Sequence, residues 1–529
     1  MTENSEVDQL KRLTVLFITA FIIFAAVVGI TSHSDMKALK ARQSLDLTDE
    51  EILALPYFDV LAPARENNNL ECDVVSYSLG DGFVHLFLPD NVSDRSVVVY
   101  IRDQEGNRIA RRVYDFSKPV KIGEWEILLE RHNLPTIYFE SNVPDAFDAM
   151  CADVNKSMIC GGRITVYAGK DSYDMNLKSI ASLQGRGASS WERCDTKKSF
   201  SLRMNDSKNL LGLGSNRNWN LIGNAFDASL LKCITFNDIS RNVGIDYQPK
   251  MRNVNLYVDG IYQGVYTLSE KVSVDRNRVA LTAGDYFYRK QPNILIQPIL
   301  YDSKTWITEG DEFEYPAVDL LFPENASEEE MSQAADIFQT FIDNVEDPAS
   351  EDLSKVCDIR TLARYYWIQE ASMNYDAWGR SVYMYYRASD KQIHMGPVWD
   401  MDLTLGCPLP KRNAEREYVD YGTPTGWKIR DGGWYTELFK NEEFVEAVKD
   451  EYHNGGVREA LRGGLDDFER RREELGDDAY TNYLLYGHSN MWEALINYGD
   501  TYDEYTDNMI NFYRKRLEWI DGQMKPWMI

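Results

Sequence analysis

The clearest pattern along the chain is an uncharged apolar run of 18 residues, Leu13 to Ile30. At about 1.5 Å per residue, a helix of that length just reaches across a bilayer core of about 30 Å. The run is apolar on every face and has no comparable partner segment, which argues against a buried core helix. It is longer than a usual signal-peptide core, and its one small-residue cleavage site, around Val27 to Gly29, is weak. The expectation is an uncleaved single-pass anchor at 13–30 behind a tail at 1–12. Lys11 and Arg12 precede it, and Lys37, Lys40 and Arg42 follow it, so flanking charge does not decide the orientation. The short tail and the large following domain predict a C-terminal part outside the cytoplasm.

Residues 31–70 are polar and mixed, ending in Arg65-Glu66-Asn67-Asn68-Asn69, and read as a stalk with one helix around Thr48 to Leu55. From 71 to 131 the pattern turns to β-rich runs, Val84 to Leu88, Ser96 to Arg102, Arg108 to Phe116 and Val120 to Leu129, separated by turn residues. This predicts a small antiparallel β unit with no visible site chemistry. The rest, 134–529, reads as one large α+β domain, with strands and hairpins to about 300 and helices afterwards. Asp259-Gly260 between Val254 to Val258 and Tyr262 to Leu268 predicts a tight hairpin, because Asp-Gly readily takes positive φ. Ser327 with Glu330 forms a capping box ahead of Met331, Ala335, Phe338, Phe341 and Val345, the period of a core-facing helix.

Composition narrows the function. Asp and Glu outnumber Lys and Arg by 84 to 57, and a net charge of -27 repels a polyphosphate backbone, so nucleic acid is not an expected partner. The seven cysteines include no CxxC and no Cys/His cluster, which argues against a structural zinc site. Cys151 and Cys160 are close enough to bridge, yet buried free thiols are the commoner outcome.

Three segments carry candidate chemistry. In Gly396-Pro397-Val398-Trp399-Asp400-Met401-Asp402, two carboxylates at alternate positions can offer hard oxygen ligands to Mg²⁺, although an Asp-x-Asp pair also arises by chance in so acidic a chain. Asp376 follows an expected helix, Asp358 to Met373, and precedes Asp400 by 24 residues. That is the chain order of a phosphotransferase, in which one carboxylate orients the hydroxyl and the next holds the metal; a helix-terminating Asp is the alternative. Gly185-Arg186-Gly187-Ala188-Ser189-Ser190-Trp191, followed by Lys197-Lys198-Ser199-Phe200, lets backbone amides approach phosphates and brings a Lys to neutralise them. It is neither a Walker loop nor the usual kinase Gly-rich loop, and a surface turn would also explain it.

Together with Leu134-Pro135-Thr136-Ile137-Tyr138-Phe139, Trp219-Asn220-Leu221, Asp227-Ala228-Ser229-Leu230-Leu231, Leu256 to Tyr266 and Glu270-Lys271-Val272, these segments resemble the ordered blocks of the spore-coat protein H (CotH) type kinases over about residues 134–410. The resemblance implies an atypical protein-kinase-like domain that phosphorylates Ser or Thr of surface, coat or secreted proteins. Its cofactors would be ATP and Mg²⁺, or Mn²⁺ in its place. By position it implies Asp376 as catalytic acid, Asp400 as metal ligand, and Lys198 and Arg186 as nucleotide contacts; Asp402 could serve the second metal position in place of the Asn that Ser381 replaces. Glu270 would either pair with Lys198 or mark the hinge beside adenine. The chain departs from the family pattern at Ala188, where Asn is common, at Lys232, where Arg is frequent, and at Ser381, where many members place Asn. These departures leave open a pseudokinase scaffold, as well as transfer of another group such as AMP. Paired acids and many aromatic residues also fit a carbohydrate-processing enzyme, though aromatic content is more often core packing.

Overall fold

The computed structural model describes residues 57–525 except 64–70, 79–82, 89–96, 103–107, 115–118, 123–124, 169–176, 193, 195–196, 293–298, 303–315, 378, 407–410, 413–417 and 488–495. The expected anchor at Leu13 to Ile30 and the expected helix at Thr48 to Leu55 lie outside the described residues. Among the described residues no helix is long and apolar enough to cross a membrane.

The chain forms two compact units. In the first, Tyr57–Pro63 pairs antiparallel with Val97–Arg102, which pairs with Arg108–Tyr114. Val75–Ser78 pairs with Phe83–Leu88, and Val120–Ile122 with Trp125–Arg131. The strand at Tyr57–Pro63 falls in the stretch read as stalk. Its partner lies some 40 residues onward, and local composition carries no trace of so distant a pairing.

The second unit is mixed α+β. It opens with a closed seven-stranded barrel in the order Ile159–Tyr167, Leu177–Arg186, Ser199–Asn209, Ser215–Ile222, Ile261–Glu270, Met251–Val258, Thr136–Ser141. Neighbours are antiparallel, including the closing pair of Thr136–Ser141 with Ile159–Tyr167, except that Thr136–Ser141 runs parallel to Met251–Val258. Alternating residues such as Ile137, Phe139, Leu183, Phe200, Leu202 and Leu256 fill the interior, as the period of 2 requires. The Asp259-Gly260 hairpin forms with both central residues at positive φ (49° and 82°).

A five-stranded antiparallel sheet follows, ordered Ile299–Asp302, Pro316–Phe322, Tyr286–Pro292, Val382–Arg387, Gln392–Met395. Helices pack around it. Glu328–Glu346 carries the expected capping box at Ser327 and Glu330 and buries Ala334, Phe338, Phe341, Ile342 and Val345. Ile359–Ser372, Glu442–His453, Val457–Leu475 and Tyr502–Met524 contribute to the same core. The helix Asp477–Tyr486 is fastened to the barrel entry by buried Asp478, which accepts the N–H groups of Asn133 and Leu134 and the amide of Asn255. Cys160, Cys233 and Cys357 are free thiols, so Cys160 is not bridged to Cys151.

At the centre of the helical region, the carboxylate of Glu370 accepts the N–H groups of Lys428, Ile429 and Arg430 and pairs with Arg516 at 2.5 Å, both side chains being wholly buried. Removing one partner strands a buried charge. Arg516→Met is therefore expected to lower stability by about 3–5 kcal/mol, seen as a lower urea midpoint for loss of tertiary structure; an unchanged midpoint contradicts this account of the pair.

Candidate active site

The helix Ile359–Ser372 begins at Asp358, whose carboxylate caps the N–H groups of Arg360 and Thr361, and ends at Met373 in the left-handed conformation. That reversal turns the chain toward Asn374, which is buried and locked. Its amide nitrogen donates to Gln369 Oε1 (2.8 Å), and its Oδ1 accepts the N–H of Asp376 (3.0 Å). Asp376 is thus held at the start of a turn closed by Gly379 and Arg380 N–H groups on its carbonyl. Its carboxylate lies 3.8 Å from the Arg380 guanidinium.

The Asp400 segment is anchored by its buried neighbours Val398, Trp399, Met401, Leu403 and Leu405. Two backbone hydrogen bonds sew it to the Asp376 segment: Tyr375 N–H to Leu403 O (3.3 Å) and Leu405 N–H to Ser372 O (2.8 Å). Loops distant in sequence become one surface. Ser381, Asp400 and Leu405 all take positive φ, at 54°, 55° and 53°. Such non-glycine conformations cost on the order of 1–3 kcal/mol each and concentrate where a side chain must be aimed. The Ser381 hydroxyl donates to Asp400 Oδ2 at 2.5 Å.

The carboxylates repel one another. Asp400 opens to solvent but has protein around it on most sides, and that burial raises its pKa. The Ser381 hydrogen bond and the Arg186 charge oppose the rise, Asp376 adds to it, and Arg289 counters it. Asp402, half-buried, is pushed up to about 7, first by burial and then by Asp400 and Asp376. Asp227, wholly buried, adds to the repulsion while accepting the N–H of Lys232 at the start of the helix Lys232–Asn242. Burial, Asp402, Asp227 and Asp400 together raise the Cys233 thiol pKa beside them. Among the described residues no three His, Cys, Asp or Glu side chains converge at metal-ligand spacing. Asp400 and Asp402 are hard oxygen donors of the kind a Mg²⁺-type ion takes one or two of, with phosphate and water oxygens completing its shell.

Arg186 arrives from the barrel. It ends the strand Leu177–Arg186, lies 5.7 Å over the Trp399 ring, and is the leading cation acting on Asp400. Its glycine neighbours are needed locally: a side chain at Gly185 would meet the Trp191 ring at 2.4 Å, and Gly187 has φ +89°.

Lys198 sits otherwise. Its Nζ donates to Trp191 O (2.8 Å) and lies 4.6 Å over the Trp191 ring, bracing the turn that follows Gly187. The neighbouring Lys197 is buried, donates to Asn482 Oδ1, and stacks over Tyr266 and Tyr486, with burial driving its pKa well below the usual lysine range. Glu270 does not pair with Lys198. Its carboxylate accepts the Lys250 N–H (2.8 Å) and faces Arg278 at 3.8 Å, the register setting Glu270 opposite Trp219 at the end of its strand. Glu270 ends the strand Ile261–Glu270, the last barrel strand in chain order.

The family described as CotH kinase protein matches residues 183–520. The chain belongs to the CotH kinase family. The match covers most of the chain and includes Arg186, Lys198, Glu270, Asp376, Asp400 and Asp402, and a kinase-like function comes with it. It starts inside the barrel, so the strand Thr136–Ser141, whose sequence contributed to the resemblance, lies before the matched region. A search of curated proteins finds no match.

Arg289 and the bond from Ser381 to Asp400 are features of the candidate site that the sequence did not announce. Ser381 stood out as a departure from the family pattern, but its role as donor to Asp400 needs the fold. Arg289 lies in the strand Tyr286–Pro292, with no motif around it.

Proposed function

We propose that the protein is an ATP-dependent kinase that transfers phosphate to Ser or Thr of a surface, coat or secreted protein, with Asp376 and Asp400 as its central pair. The observation that carries this reading is the stitching of the Asp376 and Asp400 loops, with Ser381 and Arg186 both acting on Asp400. Asp400, with Asp402 beside it, would hold Mg²⁺, or Mn²⁺ in its place; the ion would neutralise charge on the bound phosphates. Asp376 orients the acceptor hydroxyl and takes its proton as the oxygen attacks. Arg186 supplies a protein cation to the phosphates, while Lys198 shapes the turn from which Arg186 emerges. Glu270, at the end of the last barrel strand, would mark the hinge beside adenine. The apolar run at 13–30 supports a membrane-anchored protein acting outside the cytoplasm.

Because Lys198 is engaged by Trp191, the phosphates need not lie as in better-known kinases. A pose that presents the α-phosphorus would give AMP transfer, and a label on that phosphate separates the two chemistries.

The metal role has a test independent of turnover. Clustered carboxylates destabilise the site when ionised, and a divalent cation relieves that repulsion. Millimolar Mg²⁺ or Mn²⁺ is therefore expected to raise the melting temperature of the protein by a few degrees at pH 8 and to leave Asp400→Asn nearly unmoved. Equal shifts in both proteins would remove Asp400 from the metal site.

A further inference from the structure

Three strands of the five-stranded sheet carry a polar row across one face. Arg289 stands opposite Asp319 on one neighbouring strand and opposite Tyr383 on the other. Its Nη2 is 2.7 Å from Asp319 Oδ2, and it also reaches the Tyr383 hydroxyl. Around this row the sheet is apolar: Val318, Leu320, Phe287 and Tyr288 are buried, and Phe287 stacks on the Tyr383 ring at 5.6 Å. The Asp319 side chain is 3% exposed, whereas Arg289 keeps 27%. Its Nε is buried and has no hydrogen-bond partner among the described residues.

A buried ion pair adds little stability over apolar residues of like volume, so structure alone is a poor reason for this pair. What the guanidinium faces is a better one. Tyr383 lies two residues beyond Ser381, the donor to Asp400, and Phe287 and Tyr383 belong to the same apolar cluster as Trp399. Through Tyr383 and Trp399 the row therefore adjoins the Asp400 segment, and the Arg289 charge, like that of Arg186, favours the ionised Asp400 carboxylate.

We propose that Arg289 is a catalytic residue that contacts the terminal phosphates of the bound nucleotide, with Asp319 and Tyr383 holding its guanidinium in place. This rests on the kinase reading above. A guanidinium is a rigid fork of five donors, and two fixed neighbours leave donors for an anion in the cleft. Asp319 is then a positioning residue that restrains the fork without touching substrate.

The experiment is calorimetric titration of the purified full chain and of Arg289→Met with ATP, ADP and adenosine in Mg²⁺, with thermal melting beside it. Losing a charge-assisted contact should weaken ATP binding by about tenfold or more and ADP binding by less. Adenosine binding should not change, which a merely structural role for Arg289 would not allow. Arg289→Lys keeps the charge and the Asp319 pair but loses the fork, so it covers the case in which Arg289→Met fails to fold; a several-fold loss confined to ATP is expected. Unchanged ATP affinity in the variant that folds, or an equal loss for ATP and adenosine, overturns the proposal while leaving the kinase reading intact. A parent protein that binds no nucleotide overturns both.

Discussion

Asp400→Asn is expected to lose phosphoryl transfer by about 10³-fold or more and to weaken binding of Mg²⁺ and ATP together. The amide keeps the size of the side chain and can still accept the Ser381 hydroxyl, so the left-handed turn at Asp400 should survive. What disappears is the charge that Arg186 and Arg289 face. Because the carboxylate repels Asp402 and Asp376 when no cation is bound, removing it should leave the unliganded protein as stable as the parent or slightly more so. Calorimetric ATP affinity in Mg²⁺, single-turnover transfer and thermal melting read these three effects. Parental affinity in the variant would place the metal elsewhere.

Asp376→Asn should fail differently. Its backbone is held by Asn374 and by the turn to Gly379 and Arg380, so the loop stays in place. Its carboxylate serves the acceptor hydroxyl and has little contact with nucleotide. The variant is expected to bind Mg²⁺ and ATP as the parent does, while transfer falls by about 10²-fold or more. Loss of ATP affinity matching that of Asp400→Asn would mean that both acids hold the metal, leaving the hydroxyl to another group.

The segments that meet at the candidate site were legible in the sequence for physical reasons. Asp376 and Asp400 lie in short segments whose flanking residues carry strong local signals: a capped helix on one side and a buried run entering a glycine-containing turn on the other. The Asp259-Gly260 hairpin and the Ser327 capping box are local as well, and both appear as the sequence predicts. What failed to show was non-local. The pairing of Glu270 with Arg278 depends on barrel register, and a choice between Lys197 and Lys198 depends on which side of the strand entry each faces. Arg289 depends on three strands that come together across nearly 100 residues of chain, from Arg289 to Tyr383. Tyr57–Pro63 escaped notice because its strand partner is distant and its surroundings read as linker.

The central claim is that the stitched Asp376 and Asp400 loops perform phosphoryl transfer from ATP, and one measurement meets it directly. The purified protein, with Mg²⁺, is incubated with surface or coat proteins from the same cells and with ATP labelled at either the γ- or the α-phosphate, beside Asp376→Asn and Asp400→Asn. The account predicts that γ-label, and not α-label, passes to Ser or Thr of a protein acceptor, and that neither variant transfers at more than about a hundredth of the parental rate. Transfer by both variants at the parental rate, or no transfer of either label by a parent that binds no nucleotide, would contradict it.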